Sequence, residues 1–248
     1  MENQATQLRE EKQRDFFDGV KAGIPVAIGY IPIAIAFGLL AKSFDVPNYI
    51  TLMMSLVIFA GASQFIGVNL LIAGVTYWEI VITTFILNFR HFLMSASLSQ
   101  RIPDWTPKKW LATLSFGITD ETFSVASIQK ERLLHPFFVI GLNLIAFLAW
   151  NVGTWVGVFL AVGLPQSVQN SMGIALYAMF IGLLVPSLSK SKPVFVIVMI
   201  SIFISSVLFW ALPMIVSLSP GWSIIISTII ASAIGVWLYP DEGEEEDE

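Results

Sequence analysis

The 248-residue chain contains no cysteine and only two histidines, and 12% of its residues are charged. The missing cysteines exclude disulfides, thiolate metal sites, iron–sulfur clusters and cysteine nucleophiles. Two histidines leave little for a multi-histidine metal centre. No glycine-rich phosphate loop of the GxxxxGK[ST] type occurs, and no serine or threonine stands in a triad-like relation to a histidine, so the sequence reads as neither an enzyme nor a cofactor binder. Soluble domains carry about 25% charged residues. The low charge here, with 56% hydrophobic residues, defines an integral membrane protein. The formal net charge of −5 misdescribes the body of the chain, because the stretch from Asp241 to Glu248 holds seven carboxylates. Without them the remainder is +2, which offers no basic surface to nucleic acid.

What is present is a series of eight apolar segments, at 19–41, 48–73, 77–100, 112–128, 135–162, 170–189, 193–212 and 221–239. Each is near the ~20 residues that a spanning helix needs. The expected fold class is therefore all-α integral membrane. Residues 1–18 are polar and mixed in charge, without the basic start and apolar core of a signal peptide, and are expected to be a cytoplasmic tail leading in through Phe16 and Phe17. Residues 19–240 form the membrane domain, and 241–248 an acidic cytoplasmic extension. Segment 1 holds Pro25, Gly29, Pro32 and Gly38, and proline inside a helix frees backbone groups and kinks it, so a break is expected there. Segment 4 is the most polar, with Thr113, Ser115, Thr119, Asp120, Glu121 and Thr122.

Lysine and arginine bias topology towards a positive inside. Eight spans with the N-terminus inside put Arg9, Lys12, Arg14, Lys21, Lys130, Arg132, Lys190 and Lys192 inside, and Lys42, Arg101, Lys108 and Lys109 outside. If segments 1 and 4 instead re-enter from the cytoplasmic side, all twelve are cytoplasmic. Those two segments hold matching places in successive groups of three, a pattern that points to a transporter binding site. Both arrangements place both termini in the cytoplasm.

Segment 3 carries Leu87-Asn88-Phe89-Arg90-His91-Phe92 at its centre. A charge at mid-membrane costs about 2.5–3.5 kcal/mol on insertion scales, so Arg90 needs a partner, and Asp120 or Glu121 is the candidate. A helix places Thr84, Asn88, His91, Ser95 and Ser99 on one stripe, which should face protein or water. The bland alternative is a structural ion pair with interhelical hydrogen bonds. Two neighbouring acids at membrane depth are costly to keep ionised together, which suits a proton carrier or a cation-binding acid; the alternative is a wet mouth that solvates them. In segment 2, Gly61 and Gly67 read as close packing, whereas the amide of Gln64 wants partners. Segment 5 aligns Asn143, Ala146, Trp150, Thr154 and Gly157 on one face, with Trp150 too deep for an interfacial belt.

A cation, two acids, a histidine and several amides inside apolar walls complement a zwitterionic apolar amino acid. Arg90, or backbone amides freed at a helix break near Pro32, would take its carboxylate. The candidate substrate-binding set is Arg90, Gln64, Asn88, Gly61, Asn143, Trp150 and Pro32. The candidate proton-coupling set is Asp120, Glu121 and His91. A channel-like passive pore for another small polar solute, a membrane-embedded enzyme and a purely structural subunit are the alternatives.

Taken together, Gly23-Ile24-Pro25, Gly29-Tyr30-Ile31-Pro32, Ala36-Phe37-Gly38, Phe59-Ala60-Gly61-Ala62-Ser63-Gln64-Phe65, Asn88-Phe89-Arg90-His91, Thr119-Asp120-Glu121-Thr122-Phe123 and Trp150-Asn151-Val152-Gly153-Thr154 resemble the AzlC family. That family is the large subunit of bacterial branched-chain amino acid exporters. The resemblance runs from about Phe16 to Trp237 in the family's order. It implies a multi-pass permease of the bacterial inner membrane that exports amino acids together with a small membrane subunit of the AzlD type.

Overall fold

The computed structural model describes residues 2–163, 165, 167, 174–210 and 218–240. The acidic extension 241–248, residues 170–173 of segment 6 and residues 211–212 of segment 7 lie outside the described residues. All regular structure among the described residues is helical. The helices are α1 (Glu2–Ser43), α2 (Asn48–Val57), α3 (Gly61–Ile72), α4 (Tyr77–Ser99), α5 (Lys108–Phe116), α6 (Asp120–Ser127), α7 (Pro136–Leu160), α8 (Ile174–Lys190), α9 (Lys192–Trp210) and α10 (Pro220–Leu238), with a 3-10 turn at Ala161–Gly163 after α7. Five of these are long and apolar enough to cross a bilayer: Arg9–Ser43 of α1, and α4, α7, α9 and α10. The chain divides into two compact units, residues 1–66 with 87–176 and residues 67–86 with 177–248.

The break expected in segment 1 is not there. α1 runs without interruption through Pro25 and Pro32. Pro25, Gly29 and Pro32 recur at helical spacing on one exposed stripe. Each proline removes one backbone bond on that outer side, while the opposite face stays buried from Gly19 to Ala41. The breaks fall instead in segments 2 and 4. Segment 2 is divided between α2 and α3 at Ile58-Phe59-Ala60, and segment 4 between α5 and α6 at Gly117-Ile118-Thr119. These are not matching places in two groups of three: of segments 1 and 4, the pair singled out in the sequence, only segment 4 is divided.

The first unit is built on α1 and α7. Gly19, Gly23, Val26, Ala27, Tyr30, Ala34, Phe37, Gly38 and Ala41 form the buried stripe of α1. The two helices run in the same direction: Gly19 meets Phe138, Gly23 meets Leu142 and Ile145, Gly153 meets Ala34, and Gly38 meets Val158. Small residues let helix backbones approach closely, the usual solution where lipid removes the hydrophobic drive. A Cβ on Gly38 would lie 2.5 Å from the Thr154 carbonyl oxygen, and one on Gly153 2.8 Å from that of Ile31. Both obstacles are backbone, which cannot step aside.

In the second unit, Gly235 of α10 packs on Ile197 of α9. Glu79, in the first turn of α4, is buried. The Ser219 hydroxyl donates to its carboxylate at the head of α10. The positive end of the helix dipole favours that placement. Gly221 stands against both Glu79 and Thr83.

Candidate functional site

α7 holds both helix breaks of the first unit. Asn143 and Trp150 lie seven residues apart, two turns along one face, and both are buried, as are Ala146, Thr154 and Gly157 of the stripe expected in segment 5. At the first break, the Trp150 indole N–H donates to Gln64 Oε1 at 2.9 Å, and Gln64 Nε2 donates to Ser55 Oγ at 2.9 Å. Ser55 Oγ lies 2.8 Å from Thr154 Oγ1, which donates on to the Trp150 carbonyl at 3.0 Å. One network thus ties α2, through Ser55, and α3, through Gln64, to the same helix. Gly61 is where the Trp150 ring comes closest; a Cβ there would be 2.6 Å from the ring. At the second break, Asn143 Nδ2 donates to the Leu114 carbonyl of α5 at 3.0 Å, and Gly117 turns the chain against the Asn143 side chain. Asn143 Oδ1 is buried without a hydrogen-bond partner.

α6 begins at this second break with a reciprocal cap. The Thr119 hydroxyl accepts from the Thr122 N–H, and the Thr122 hydroxyl accepts from the Thr119 N–H. The arrangement satisfies two of the donors left over at any helix start. It puts Asp120 and Glu121 in the first turn, where the dipole favours carboxylates. The two acids have separate donors. Arg90 Nη1 of α4 pairs with Asp120 Oδ2 at 2.7 Å, each side chain about one-third exposed (34% and 33%). The Tyr30 hydroxyl of α1 donates to Glu121 and lies 2.6 Å from Thr119 Oγ1. Arg90 Nε is buried and has no hydrogen-bond partner. Asn88, half a turn before Arg90, accepts from Ser63 Oγ of α3 at 2.6 Å. His91 is half-buried on the expected polar stripe, as are Thr84, Asn88 and Ser95, while Ser99 is exposed.

The sequence-predicted set therefore separates into three groups. Arg90, Asp120, Glu121, Asn88 and His91 meet at α4 and the head of α6. Gln64, Gly61 and Trp150 meet at the first break, and Asn143 at the second. Pro32 lies on the exposed stripe of α1, away from the buried face that carries Tyr30. Tyr30, Ser55, Phe59, Ser63 and Thr119 were not among the sequence candidates. Tyr30 sits in Gly29-Tyr30-Ile31-Pro32, a motif whose proline drew the reading; its hydroxyl on a buried helical face was the available signal. Phe59 joins the two breaks. It lies 5.1 Å from Phe147, 6.3 Å from Phe116 and 6.5 Å from Tyr30, centroid to centroid, and Tyr30 lies 5.4 Å from Trp150.

An apolar helical protein with two divided helices, and an ion pair and unpartnered polar atoms beside their breaks, has the construction of a membrane transport protein. The chain matches the family described as AzlC protein over residues 25–164, more than half its length. It is 33% identical over 183 residues to "Inner membrane protein YgaZ" of Escherichia coli (strain K12), which covers 71% of this chain and 75% of that one. It is 32% identical over 181 residues to an uncharacterized membrane protein of Archaeoglobus fulgidus, 71% of this chain and 78% of that relative. Over 141 residues it is 29% identical to "Branched-chain amino acid transport protein AzlC" of Bacillus subtilis (strain 168), 54% of this chain and 53% of that one. The chain belongs to the AzlC family of membrane transport proteins. No solved structure matches it.

Proposed function

We propose that the chain is the larger subunit of a proton-coupled exporter of branched-chain or other apolar amino acids, working in the bacterial inner membrane with a small membrane subunit of the AzlD type. The observation that carries the reading is Arg90. It is a cation on an apolar helix, paired to Asp120 through one nitrogen, with Nε buried and unpartnered. A buried donor without a partner costs about 1–3 kcal/mol, and more when charged, and a substrate carboxylate would relieve that cost. The head of α3 offers further amides, since Ala60 before it has no side chain able to cap them. Asn143 Oδ1, the unpartnered acceptor, suits an ammonium. Asp120, Glu121 and His91 supply the titratable groups for proton coupling, with Asp120 released from Arg90 when a substrate carboxylate takes its place. Gln64, Gly61 and Trp150 hold the first break in shape around the substrate, and Asn88 orients α3 beside Arg90. Pro32 lies outside this arrangement, so its part in binding is the weakest of the set.

We take segment 1 to cross the bilayer rather than re-enter, with both termini cytoplasmic, and leave segment 4, divided between α5 and α6, open to either path. An unbroken α1 of 42 residues does not turn back on itself. Its parallel packing on α7 also agrees with segments 1 and 5 crossing in the same direction. The test of function is counterflow of labelled valine, leucine, isoleucine and methionine in vesicles holding the chain, with and without a co-expressed small subunit. Saturable exchange that collapses in Arg90→Ala is expected. No exchange of any of the four by folded, paired protein would overturn the amino-acid reading. In Glu121→Gln, exchange is expected to continue while a pH gradient no longer drives net movement. A gradient that still drives movement in this variant would remove Glu121 from the coupling.

A further inference from the structure

We infer that Phe59 determines which side chains are carried, its ring holding the place that the substrate's apolar side chain takes on binding. The inference rests on the amino-acid carrier reading above and adds to it the residue that measures the substrate.

Phe59 stands between α2 and α3, at the centre of the first break. Its φ is +44°, a left-handed conformation that a bulky residue adopts only where the surroundings impose it; such outliers cluster at functional sites. Despite lying outside any helix, Phe59 is 3% exposed. Its ring meets rings from three other elements: Phe147 of α7 edge-on, Tyr30 of α1 edge-on, and Phe116 at the end of α5. Phe116 is the last residue before the second break, so the two breaks touch ring to ring. Phe116 is also 47% exposed. The aromatic group therefore runs from the interior at Phe59 to an accessible lip at Phe116.

Polar groups border this apolar group. Tyr30, which touches the Phe59 ring, passes its hydroxyl to Glu121 and Thr119, and Glu121 is the neighbour of Asp120, the partner of Arg90. Asn143, with its unpartnered Oδ1, packs on Gly117 one residue beyond Phe116. A zwitterion whose charged end met these groups would direct its side chain at the ring of Phe59. Phe59 is the one ring of the group that lies outside a helix, so it is the ring that a side chain can displace. The space it vacates then sets the size of side chain accepted. A branched aliphatic side chain is smaller than a ring and displaces Phe59 only in part, whereas a phenylalanine or tryptophan side chain has to displace it fully against the rings that hold it.

The experiment is competition against labelled leucine exchange, in vesicles of the full chain with its small subunit, by unlabelled valine, leucine, phenylalanine and tryptophan. In Phe59→Ala, phenylalanine is expected to improve as a competitor relative to valine by about tenfold or more, the discrimination that one or a few methylene-sized contacts supply in an apolar pocket. Phe59→Gly is the second variant. It removes the same ring, and glycine accepts a positive φ without strain, so it is expected to fold even where the alanine variant does not. The same shift in Phe59→Gly supports the inference. An unchanged valine-to-phenylalanine ratio in a folded, exchanging variant overturns it while leaving the carrier reading intact. Absence of any amino-acid exchange by the unaltered protein overturns both.

Discussion

Gln64 occupies a position where a polar side chain in an apolar run would be costly if left alone, and the structure surrounds it completely. It is fully buried, accepts from Trp150 and donates to Ser55. Gln64→Leu would orphan the buried indole N–H of Trp150, at about 1–3 kcal/mol, while Ser55 Oγ keeps its hydrogen bond with Thr154. A fall of the thermal midpoint in detergent is the expected outcome, with the α2–α3 break loosening before α1 and α7 part. Gly61→Ala should destabilise through overpacking, by about 1–3 kcal/mol, because the new methyl meets the Trp150 ring. Much at this scale was legible beforehand. An arginine at membrane depth has to be paired, and Asp120 was one of two candidates. The two acids were expected to compete for charge; instead Tyr30 and Arg90 serve one each, a division that depends on which way α1 faces. The hydroxyl of Ser55 gave no warning, since a single serine in an apolar helix costs little to leave unread.

At the scale of elements, the sequence placed the wrong helix under suspicion. Proline is the composition signal for a break, and α1 carries two, yet both fall on its outer face. The break at Phe59 rests on a positive φ at a non-glycine residue, for which composition has no signal. The break at Gly117 was more readable, because Thr119-Asp120-Glu121-Thr122 is a helix start with a reciprocal threonine cap. Pro32→Ala should therefore leave the thermal midpoint unchanged or raise it, since alanine restores a backbone bond on an open face; a marked loss would mean that the ring is a structural wedge. Arg101 has the opposite character. Counted from sequence only as a topological charge, it donates to the carbonyls of Ala126, Ser127, Gln129 and Glu131 at 2.5–2.9 Å and so closes the C-terminal end of α6. Arg101→Ala should lower stability by about 2–3 kcal/mol, in the range for hydrogen bonds to charged groups. It should also open the stretch around Lys130 to protease, which a cleavage time course would read.

At the scale of the whole molecule, the membrane class followed from composition alone, because too few charges are present to cover a soluble surface. The path of the chain across the bilayer did not, since the positive-inside rule balanced two arrangements, and the continuity of α1 bears on segment 1 alone. The chain is naturally free of cysteine, so any introduced thiol is a unique label. With eight crossings, Lys42→Cys and Lys108→Cys should react with an impermeant maleimide added outside intact cells. Protection of both until the cells are opened would instead favour cytoplasmic placement. The parallel glycine seam of α1 and α7 also bears on how the protein is made. Neighbouring antiparallel helices can pair as a hairpin while the chain emerges, but α1 must wait for more than ninety further residues before α7 arrives from the ribosome. During that interval its glycine face has only lipid or a chaperoning insertase to rest against. Arrest of synthesis before Pro136 should leave a fragment that the cell degrades, and the slow step of biogenesis should be the arrival of the fifth apolar segment rather than the insertion of the first.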